Sequence, residues 1–505
     1  MVSTFHGLET ARRGMTTQQY ALQVTGQNIA NANTPGYSRQ RVNFTQTAPY
    51  PAPAMNRPQI PGQMGTGVEA GSIQRVRESF LDVQFRGENT KSGYWGARSE
   101  ALEKMEDIMN EPSDNGLSRT LDQFWQSLQD LAVNPEDDGA RSVVRQRGVA
   151  VAETFNYLST SLSTIRDDIK SQVDISVKEI NSIAEQMNNI NQQISEIEPH
   201  GYLPNDLYDE RDQLVDRLSQ LVNVKVTKTS SSTTASPLAE GKYTIEITDA
   251  SGASLGTLVD GNSSPLSFKS LSADESNGNI SGFSLGGTAL ASTAVGGKLE
   301  GMTSAYNNDY PAMLDQLDNL ALDFAKAFND VHSKGWSLND INSTTGTQTP
   351  HDFFALDNPS TPANDQVKID GTTPAKGAAK LLKVSSEITD DLKNIAAATS
   401  KAAGDGSNAL NLAGVKDTTN LKSKYEAAIG KMAVDAQQAN RMSANSDTLA
   451  NSVDQRRQSV SGVSLDEEMT NMIQFQHAYN ASARMITMVD QMLDKIINGM
   501  GMVGR

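Results

Sequence analysis

The sequence predicts a mainly α-helical chain with β insertions, organised as a nested multi-domain protein. Three patterns in its 505 residues support this fold class. Apolar residues recur every seven positions at both ends and every three or four positions in the interior. Short stretches in which apolar and polar residues alternate lie between these segments. Heptad spacing is typical of helices that pack side by side, and alternation is typical of strands. We therefore expect a terminal coiled-coil layer, a helical-bundle layer and a small inserted β domain.

The first helix is predicted before residue 33, where apolar residues recur at spacing seven. The turn sequence Asn33–Gly36 ends this helix, because proline disfavours helix at the preceding residue and glycine suits a turn. The row forms one face of a helix that can pack against another helix. Its predicted seam residues are Leu8, Met15, Leu22 and Ile29.

The C-terminal segment shows the same period over six successive positions. Two seams at opposite ends of one chain predict that the termini pack with each other or with copies of the chain. A pair of ordinary core helices is the alternative interpretation. The C-terminal seam residues are Leu465, Met472, Tyr479, Ile486, Leu493 and Met500.

Further helices are predicted in the interior from apolar periodicity. The segment that follows residue 222 is different. Apolar and polar residues alternate in it, and it is rich in Ser, Thr and Gly, which is typical of strands and turns. The predicted helices are 78–110, 117–133, 140–198, 205–222, 298–334, 385–403 and 418–461.

These changes in apolar periodicity and composition along the chain predict three regions. The first is a terminal helical assembly domain with a β-rich connector, the second is a helical-bundle domain that includes a loop and β stretch, and the third is an outer β domain. In the same order, their residues are 1–77 plus 441–505, then 78–222 plus 297–440 with the loop and β stretch at 335–380, and finally 223–296.

The charge and composition exclude several classes of protein. The chain has 60 acidic and 43 basic residues and a net charge of −17, which argues against nucleic acid or anionic lipid as the main partner. It has no cysteine, so disulfides, thiol catalysis and cysteine-based metal sites are excluded. Its five histidines are scattered and form no metal-ligand pair, so we expect no metal and no cofactor. No apolar run is long enough to cross a membrane, and none resembles a signal-peptide core.

No catalytic motif stands out, and we predict that the chain is not an enzyme. Adjacent acidic residues are best explained as solvated faces or helix caps, and no GxSxG elbow or phosphate loop is present. Arg75 and Arg77 alternate on a predicted strand, as do Arg39 and Arg41. Such pairs can grip an acidic surface or form one solvated strand face, and the solvated face is the favoured interpretation.

The segment from Asn28 to Tyr37 resembles the N-terminal signature of bacterial flagellar rod, hook and hook-associated proteins. Its continuation to Val42 resembles the hook-associated members that join hook to filament. Segments 310–335, 405–412 and 461–484 resemble further blocks of this family, and the blocks occur in the same order as in the family. The signature residues are Asn28, Asn31, Asn33, Thr34, Pro35, Gly36, Tyr37, Ser38 and Arg39.

The resemblance implies a structural component of the bacterial flagellum, needed for motility and located outside the cell at the hook–filament junction. It implies an adaptor ring that self-assembles through the terminal helices and is exported by the flagellar type III apparatus without a cleaved signal peptide. The implied partners are other copies in the ring, the hook protein on one side, a second junction protein and the flagellin filament on the other, and an export chaperone at the C-terminal region.

Three alternatives stay open at this point. The first is a hook or rod protein of the same family. The second is a secreted adhesin or glycan-binding protein that would use the 223–296 insertion, and the third is a secreted hydrolase. None of these alternatives requires nucleic acid or membrane insertion.

Overall fold

A computed structural model describes residues 5–55, 62–109, 116–290, 294–343, 347–357, 366–367, 369 and 376–499. The chain divides into two compact units. The first comprises Met1–Thr90, Glu179–Leu271 and Ser446–Arg505, and the second comprises Lys91–Lys178 and Ser272–Asn445. The division into three regions made from the sequence stays a prediction.

Helices dominate the described part of the chain, which confirms the predicted fold class. Most of the predicted helices appear within a few residues of their expected ends. In chain order the α-helices are α1 (His6–Ala30), α2 (Ser79–Met109), α3 (Leu117–Val133), α4 (Asp138–Ile197), α5 (Asn205–Leu221), α6 (Gly297–Ser304), α7 (Tyr310–His332), α8 (Leu338–Asn342), α9 (Ala378–Leu381), α10 (Ser386–Asp390), α11 (Ser407–Ala413), α12 (Val415–Thr419), α13 (Leu421–Ser461) and α14 (Leu465–Gly499).

The strands form small sheets with the orders β1-β2, β3-β4-β5-β6, β7-β8-β9 and β11-β10-β12. The predicted β stretch after residue 222 holds β3 to β9, which form two sheets. The strands are β1 (Gln40–Gln46), β2 (Val68–Arg75), β3 (Val224–Thr229), β4 (Lys242–Thr248), β5 (Ser254–Asp260), β6 (Ser267–Phe268), β7 (Leu271–Ser276), β8 (Asn279–Leu285), β9 (Thr288–Ala289), β10 (Phe354–Asp357), β11 (Gln366–Val367) and β12 (Leu382–Val384).

In the first unit, α1 packs against the β1–β2 hairpin and against α14. The hairpin is antiparallel, with Gln40 opposite Arg75 and a bulge between Asn43 and Phe44. The small apolar core here consists of short side chains, to which larger residues add only partly buried surface. Its members are Ala21, Val24 and Val42, with Ala70, Ile73 and Phe475 packed against them.

Aromatic side chains from α3, α4, α7 and β10 form the core of the second unit. The rings of Phe324 and Phe354 lie 4.9 Å apart at a tilt of 55°. Gly148 on α4 leaves room for this cluster, since a Cβ there would lie 2.7 Å from Cε1 of Phe353. The cluster consists of Phe124, Trp125, Phe155, Phe324, Phe328, Phe353 and Phe354, and all seven are buried.

Asparagine side chains attach several strands to helices or helical turns. In each case the amide oxygen accepts from the backbone N–H of one strand residue and the amide nitrogen donates to its carbonyl. The amide thereby makes the two hydrogen bonds that a neighbouring strand would make. The pairs are Asn28 with Gln40, Asn181 with Leu271, Asn191 with Tyr243, Asn307 with Ile280, and Asn329 with Phe354.

The predicted helix over 385–403 is wrong for most of its length. After α10 and a short 3₁₀ turn, the chain is extended, and Ala398 bridges Trp336. Buried tertiary contacts override helix propensity here: His332 Nε2 accepts from the Ala396 N–H, and Arg141 donates to the Ile395 carbonyl. Likewise, a π-helical turn at Ala305–Asp309 separates α6 from α7 within the predicted 298–334 helix.

None of the helices within the described residues is long and apolar enough to cross a membrane.

Candidate assembly site: the terminal helix pair and its polar clasp

Helices α1 and α14 run antiparallel and meet along rows of residues spaced by seven. The row on α1 has short side chains. A Cβ at Gly7 would lie 3.8 Å from Cγ2 of Val489, and one at Gly14 would lie 3.9 Å from Cβ of Ser482. Further along, Ala21 and Phe475 share a core, and Asn28 contacts Glu468. The small residues allow the two helices to approach closely.

The predicted seam residues lie beside this contact row rather than in it. On α1 all four are half-buried, and on α14 the positions from Met472 to Leu493 are half-buried as well. Leu465, at the start of α14, is 48% exposed. Met500 lies outside the described residues. The residues closest to the partner helix are therefore neighbours of those predicted from the heptads.

The two helices differ in what they leave exposed. Helix α1 is covered by α14 and by the hairpin, where Thr17 Oγ1 donates to the Val68 carbonyl. Its exposed positions include the polar residues Arg12, Gln19 and Gln23, together with one large ring, Tyr20, at 49% exposure. Helix α14 instead exposes large apolar side chains. We define the outer face of α14 as those residues that are at least 45% exposed, namely Leu465, Met469, Ile473, Met485, Met488, Met492, Ile496 and Ile497.

The signature residue Asn28 is buried at the end of the helix pair, and its amide makes four hydrogen bonds. Its nitrogen donates to the Gln40 carbonyl at 2.8 Å and to Glu468 Oε2 at 3.1 Å. Its oxygen accepts from the Gln40 N–H at 3.0 Å and from the Tyr37 hydroxyl at 2.9 Å. A full set of partners removes the cost of burying this polar group.

Arg39 joins the signature to the start of α14. Its Nε donates to Glu468 Oε1 at 2.8 Å and its Nη1 to Glu467 Oε2 at 2.7 Å. Its backbone N–H also donates to the carbonyl of Ser461, at the end of α13. The buried carboxylate of Glu468 therefore has a cationic partner, as a buried charge requires. We call Asn28, Tyr37, Arg39 and Glu468 the polar clasp.

The turn between α1 and β1 explains other signature residues. Thr34 Oγ1 donates to Asn31 Oδ1 at 3.1 Å, and the Pro35 carbonyl accepts from Gln213 Nε2 at 2.7 Å. Gly36 has φ of +77°, and a Cβ there would overlap the Gln213 side chain, so glycine is required. The stretch from Asn33 to Gly36 is exposed.

Beyond the clasp, the structure places a buried ion cluster that sequence reasoning did not find. Ser38 donates its N–H to Asp209, which also pairs with Arg75 at 2.7 Å. Asp212 accepts from Arg75 at 3.0 Å and from Arg86 at 3.1 Å. Arg75 and Arg77 are therefore buried, and the favoured prediction of a solvated strand face is wrong. The cluster comprises Arg75, Arg77, Arg86, Arg211, Arg457, Asp82, Asp209, Asp212, Asp216 and Glu240.

Charge compensation favours the ionised form of two carboxylates in this cluster, Asp212 and Glu240. Burial alone would raise the pKa of Asp212, but Arg77, Arg75 and Arg86 together hold it well below its usual range. Burial likewise opposes the ionised form of Glu240, yet Arg75 and Lys228 lower its pKa to about 2. These residues come from α2, α5, α13, β2 and the segment before β4, so ion pairs join separate elements of the first unit.

Two kinds of signal could have located the residues that were missed. Glu468 stands seven positions before Phe475, in a heptad row that continues with Ser482 and Val489, so an inward carboxylate could have been expected. Asp209, Asp212 and Asp216 follow the three- and four-residue steps of one helix face. The arginines that neutralise that face come from distant segments, and no local pattern pairs them.

The described residues include no group of three His, Asp or Glu side chains placed to hold a metal ion. The paired helices, the clasp and the exposed apolar face instead form a surface for packing. These features are typical of a structural protein.

Comparison with known proteins agrees with this class. A sequence model described as "Flagellar hook-associated protein FlgK helical domain" matches residues 102–354. Models described as "Flagella basal body rod protein" and "Flagellar basal body rod FlgEFG protein C-terminal" match residues 8–37 and 454–499. The first of these two matches covers most of α1 with its turn, and the second covers the end of α13 and all of α14.

Whole-chain relatives carry the same name. The Flagellar hook-associated protein 1 of Bacillus subtilis strain 168 is 45% identical over 525 residues, covering all of both chains. That of Escherichia coli K12 is 28% identical, covering 97% of this chain and 99% of the relative. The solved flagellar hook junction protein FlgK from Burkholderia pseudomallei is similar in fold, with a TM-score of 0.59 at 17% identity over 75% of this chain and all of that one.

The chain belongs to the flagellar hook-associated protein 1 family. Membership confirms the family resemblance seen in the sequence and the prediction of a structural, non-enzymatic component of the flagellum. It also confirms the predicted place of action, at the hook–filament junction of the extracellular flagellum. The predicted seam is not tested by these comparisons.

Proposed function

We propose that copies of this chain assemble into an adaptor ring by packing the outer face of α14 against neighbouring copies. The observation that carries the proposal is the asymmetry of the terminal pair. Helix α1 is covered by α14 and by the hairpin, while α14 is covered by α1 and, at Phe475, by the hairpin, and exposes large apolar residues towards both of its ends. Contiguous exposed apolar surface typically marks a site of association.

The composition of the outer face supports a contact with more than one geometry. Met469, Met485, Met488 and Met492 supply flexible, polarisable side chains that fill irregular gaps. A ring placed between two differently built structures has to make similar contacts at dissimilar neighbours. A surface rich in methionine suits that requirement better than one of rigid, branched side chains.

Under this proposal the predicted seam and the outer face of α14 have different roles. The half-buried row from Met472 to Leu493, together with Leu8, Met15, Leu22 and Ile29, completes the packing inside one chain. The outer face then makes the contacts between copies. Residues 1–77 and 441–505 form the assembly layer, 78–222 with 297–440 form the body, and 223–296 form an outer β region.

We further propose the partners that the family implies. The ring contacts the hook protein on one side, and a second junction protein with the flagellin filament on the other. An export chaperone binds the C-terminal region before assembly, where it would cover the outer face of α14. Covering exposed apolar surface keeps a chain from associating before its partners are present.

The test is to place charge on the outer face without disturbing α1. Met488→Asp with Met492→Asp alters two half-exposed side chains, so the isolated chain should keep its far-ultraviolet circular dichroism. We expect cells with this variant to keep their hooks, release unpolymerised flagellin into the medium and lose motility. A buried carboxylate at a contact between copies would be strongly unfavourable.

Val434→Asp is the matched control, since Val434 is a 62% exposed apolar residue on α13 outside the terminal pair. The control should swim normally. Ile486→Asp and Leu493→Asp are less suitable, because both side chains are half-buried and a charge there could disturb the pair itself. Normal filaments and motility with the double Met variant would contradict the proposed role of the outer face.

A further inference from the structure

The contacts between α1 and α14 are chemically permissive except at one end. Along the pair, Gly7 faces Val489, Gly14 faces Ser482, and Ala21 packs with Phe475. The residues on the α1 side are all small. If α14 shifted by one heptad along α1, each of them would face the next side chain of the α14 row and fit it about equally well. In the contacts between α1 and α14 themselves, these three levels therefore favour pairing without selecting a single register; Phe475 also packs against the hairpin, at Phe44 and Val42.

The fourth level is different, because Asn28 and Glu468 are both polar and buried, at 1% and 2% exposure. Glu468 has its carboxylate divided between Asn28 and Arg39. Shifted by one heptad in one direction, Glu468 would face Ala21. Shifted in the other, Asn28 would face Phe475. Either shift leaves a buried polar group without its partner, which is costly.

We propose that the Asn28–Glu468 pair, held by Arg39, is the register lock of the terminal helix pair. A polar residue in an apolar helix interface specifies register at a cost in stability, and the three permissive levels need such a residue. The role extends beyond assembly between copies, since it acts within one chain. It fixes which part of the outer face of α14 extends past the N-terminal end of α1.

The lock can be tested directly because the chain has no cysteine. Gly14→Cys with Ser482→Cys reports the native register, since the two Cβ positions are 3.9 Å apart, within the span of a disulfide. Gly14→Cys with Val489→Cys reports a shift in one direction, and Gly7→Cys with Ser482→Cys a shift in the other. In the native register these reporter pairs are separated by about 10 Å along the helix, too far to link.

Each reporter is placed in the full chain and equilibrated in a glutathione buffer, and linked chains are counted on non-reducing gels. In the unaltered background we expect linkage of the native pair only. In the Asn28→Leu with Glu468→Leu background, apolar residues replace both members of the lock. There we expect the shifted pairs to link at least about tenfold more than before, at the expense of the native pair.

Glu467→Leu is the matched control, because Glu467 is adjacent, also pairs with Arg39, and is exposed. It should leave the native pair dominant. The proposal is overturned if the double Leu background still links only the native pair, or if it links none of the three pairs. It is also overturned if the native pair does not link preferentially in the unaltered chain.

Discussion

The terminal part of the first unit and the core of the second unit are stabilised by different means. In the second unit, seven aromatic side chains pack together, with ring centroids as close as 4.9 Å. The first unit also buries an aliphatic core, on α4, α5, β4 and β5, but the apolar core around α1 is built only on Ala21, Val24 and Val42. Around α1, ion pairs and the polar clasp join the elements. The second unit is therefore held by large buried rings, whereas the terminal part of the first unit relies on directional polar contacts.

This difference indicates why the first unit suits assembly. Directional contacts fix the position of helices without burying all of their apolar surface, and the outer face of α14 stays available. Buried ion pairs contribute less to net stability than apolar packing of similar volume, but they discriminate strongly between arrangements. The terminal part of the first unit gains a defined geometry from these contacts, and the second unit gains stability from its aromatic core.

The largest expected effect is on the aromatic core. Phe324→Ala removes a fully buried ring and should lower the stability of the second unit by about 4 kcal/mol. Tryptophan fluorescence during urea unfolding measures this, since Trp95, Trp125 and Trp336 all belong to the second unit. Phe475→Ala, at a half-buried ring of the first unit, should leave that fluorescence transition in place. An equal shift for both variants would refute the contrast.

Next in size is the loss of a charge from the ion cluster. Asp212→Asn leaves Arg75, Arg77 and Arg86 without their shared carboxylate, and should destabilise the first unit by about 3 kcal/mol. Far-ultraviolet circular dichroism should show the shift while the tryptophan transition stays unchanged. If the fluorescence moved by the same amount instead, the cluster would not belong to the first unit alone.

A buried histidine makes a pH-dependent contribution to the free energy of unfolding of the second unit. His332 accepts from the Ala396 N–H, and burial lowers its pKa to about 4 from an ordinary 6.5. Because the folded state binds this proton less readily than the unfolded state, the contribution is complete above pH 6.5 and is lost as the pH falls towards 4. Between pH 7.5 and pH 4.5 the loss is about 2.5 kcal/mol.

His332→Gln, whose side chain does not titrate, should remove this part of the pH dependence from the tryptophan unfolding transition. The variant will be less stable at both values, so the comparison is the difference between pH 7.5 and pH 4.5 within each protein. An unchanged difference would show that other groups cause the acid sensitivity.

The smallest expected effect on stability comes from an exposed ion pair, with which the buried ion cluster can be compared. Glu100 and Lys104 form an exposed pair at 2.7 Å, four residues apart on α2. Glu100→Gln should change stability by less than about 0.5 kcal/mol, because solvent screens exposed pairs. A loss comparable to that from Asp212→Asn would remove the distinction drawn between buried and exposed ion pairs.

Local patterns predicted much of the fold. The heptads at both ends identified α1 and α14, and the Asn33–Gly36 turn ended α1 where proline and glycine required it. The helix predicted over 385–403 failed because its Ile and Ala residues are buried in extended backbone, held by His332 and Arg141 from other helices. Periodicity reports which residues are apolar, not which distant donors compete for their backbone.

The candidate site was predicted in outline and missed in detail. Spacing seven identified the right helices but placed the seam one row away from the closest contacts, because Gly7 and Gly14 carry no apolar signal. Arg75 and Arg77 alternate as an exposed strand face would. Their burial depends on Asp209 and Asp212, more than a hundred residues later, which no local rule connects to them.

In the proposed assembly, other copies complete the packing of the terminal helix pair, whereas the second unit is complete in one chain. Hydrogen exchange of the full chain, alone and in assemblies isolated with hooks, tests this most directly. We predict that amides of α14 exchange quickly in the single chain and slowly in the assembly, while those of α7 exchange slowly in both. Equal protection of α14 in the two states would contradict the account.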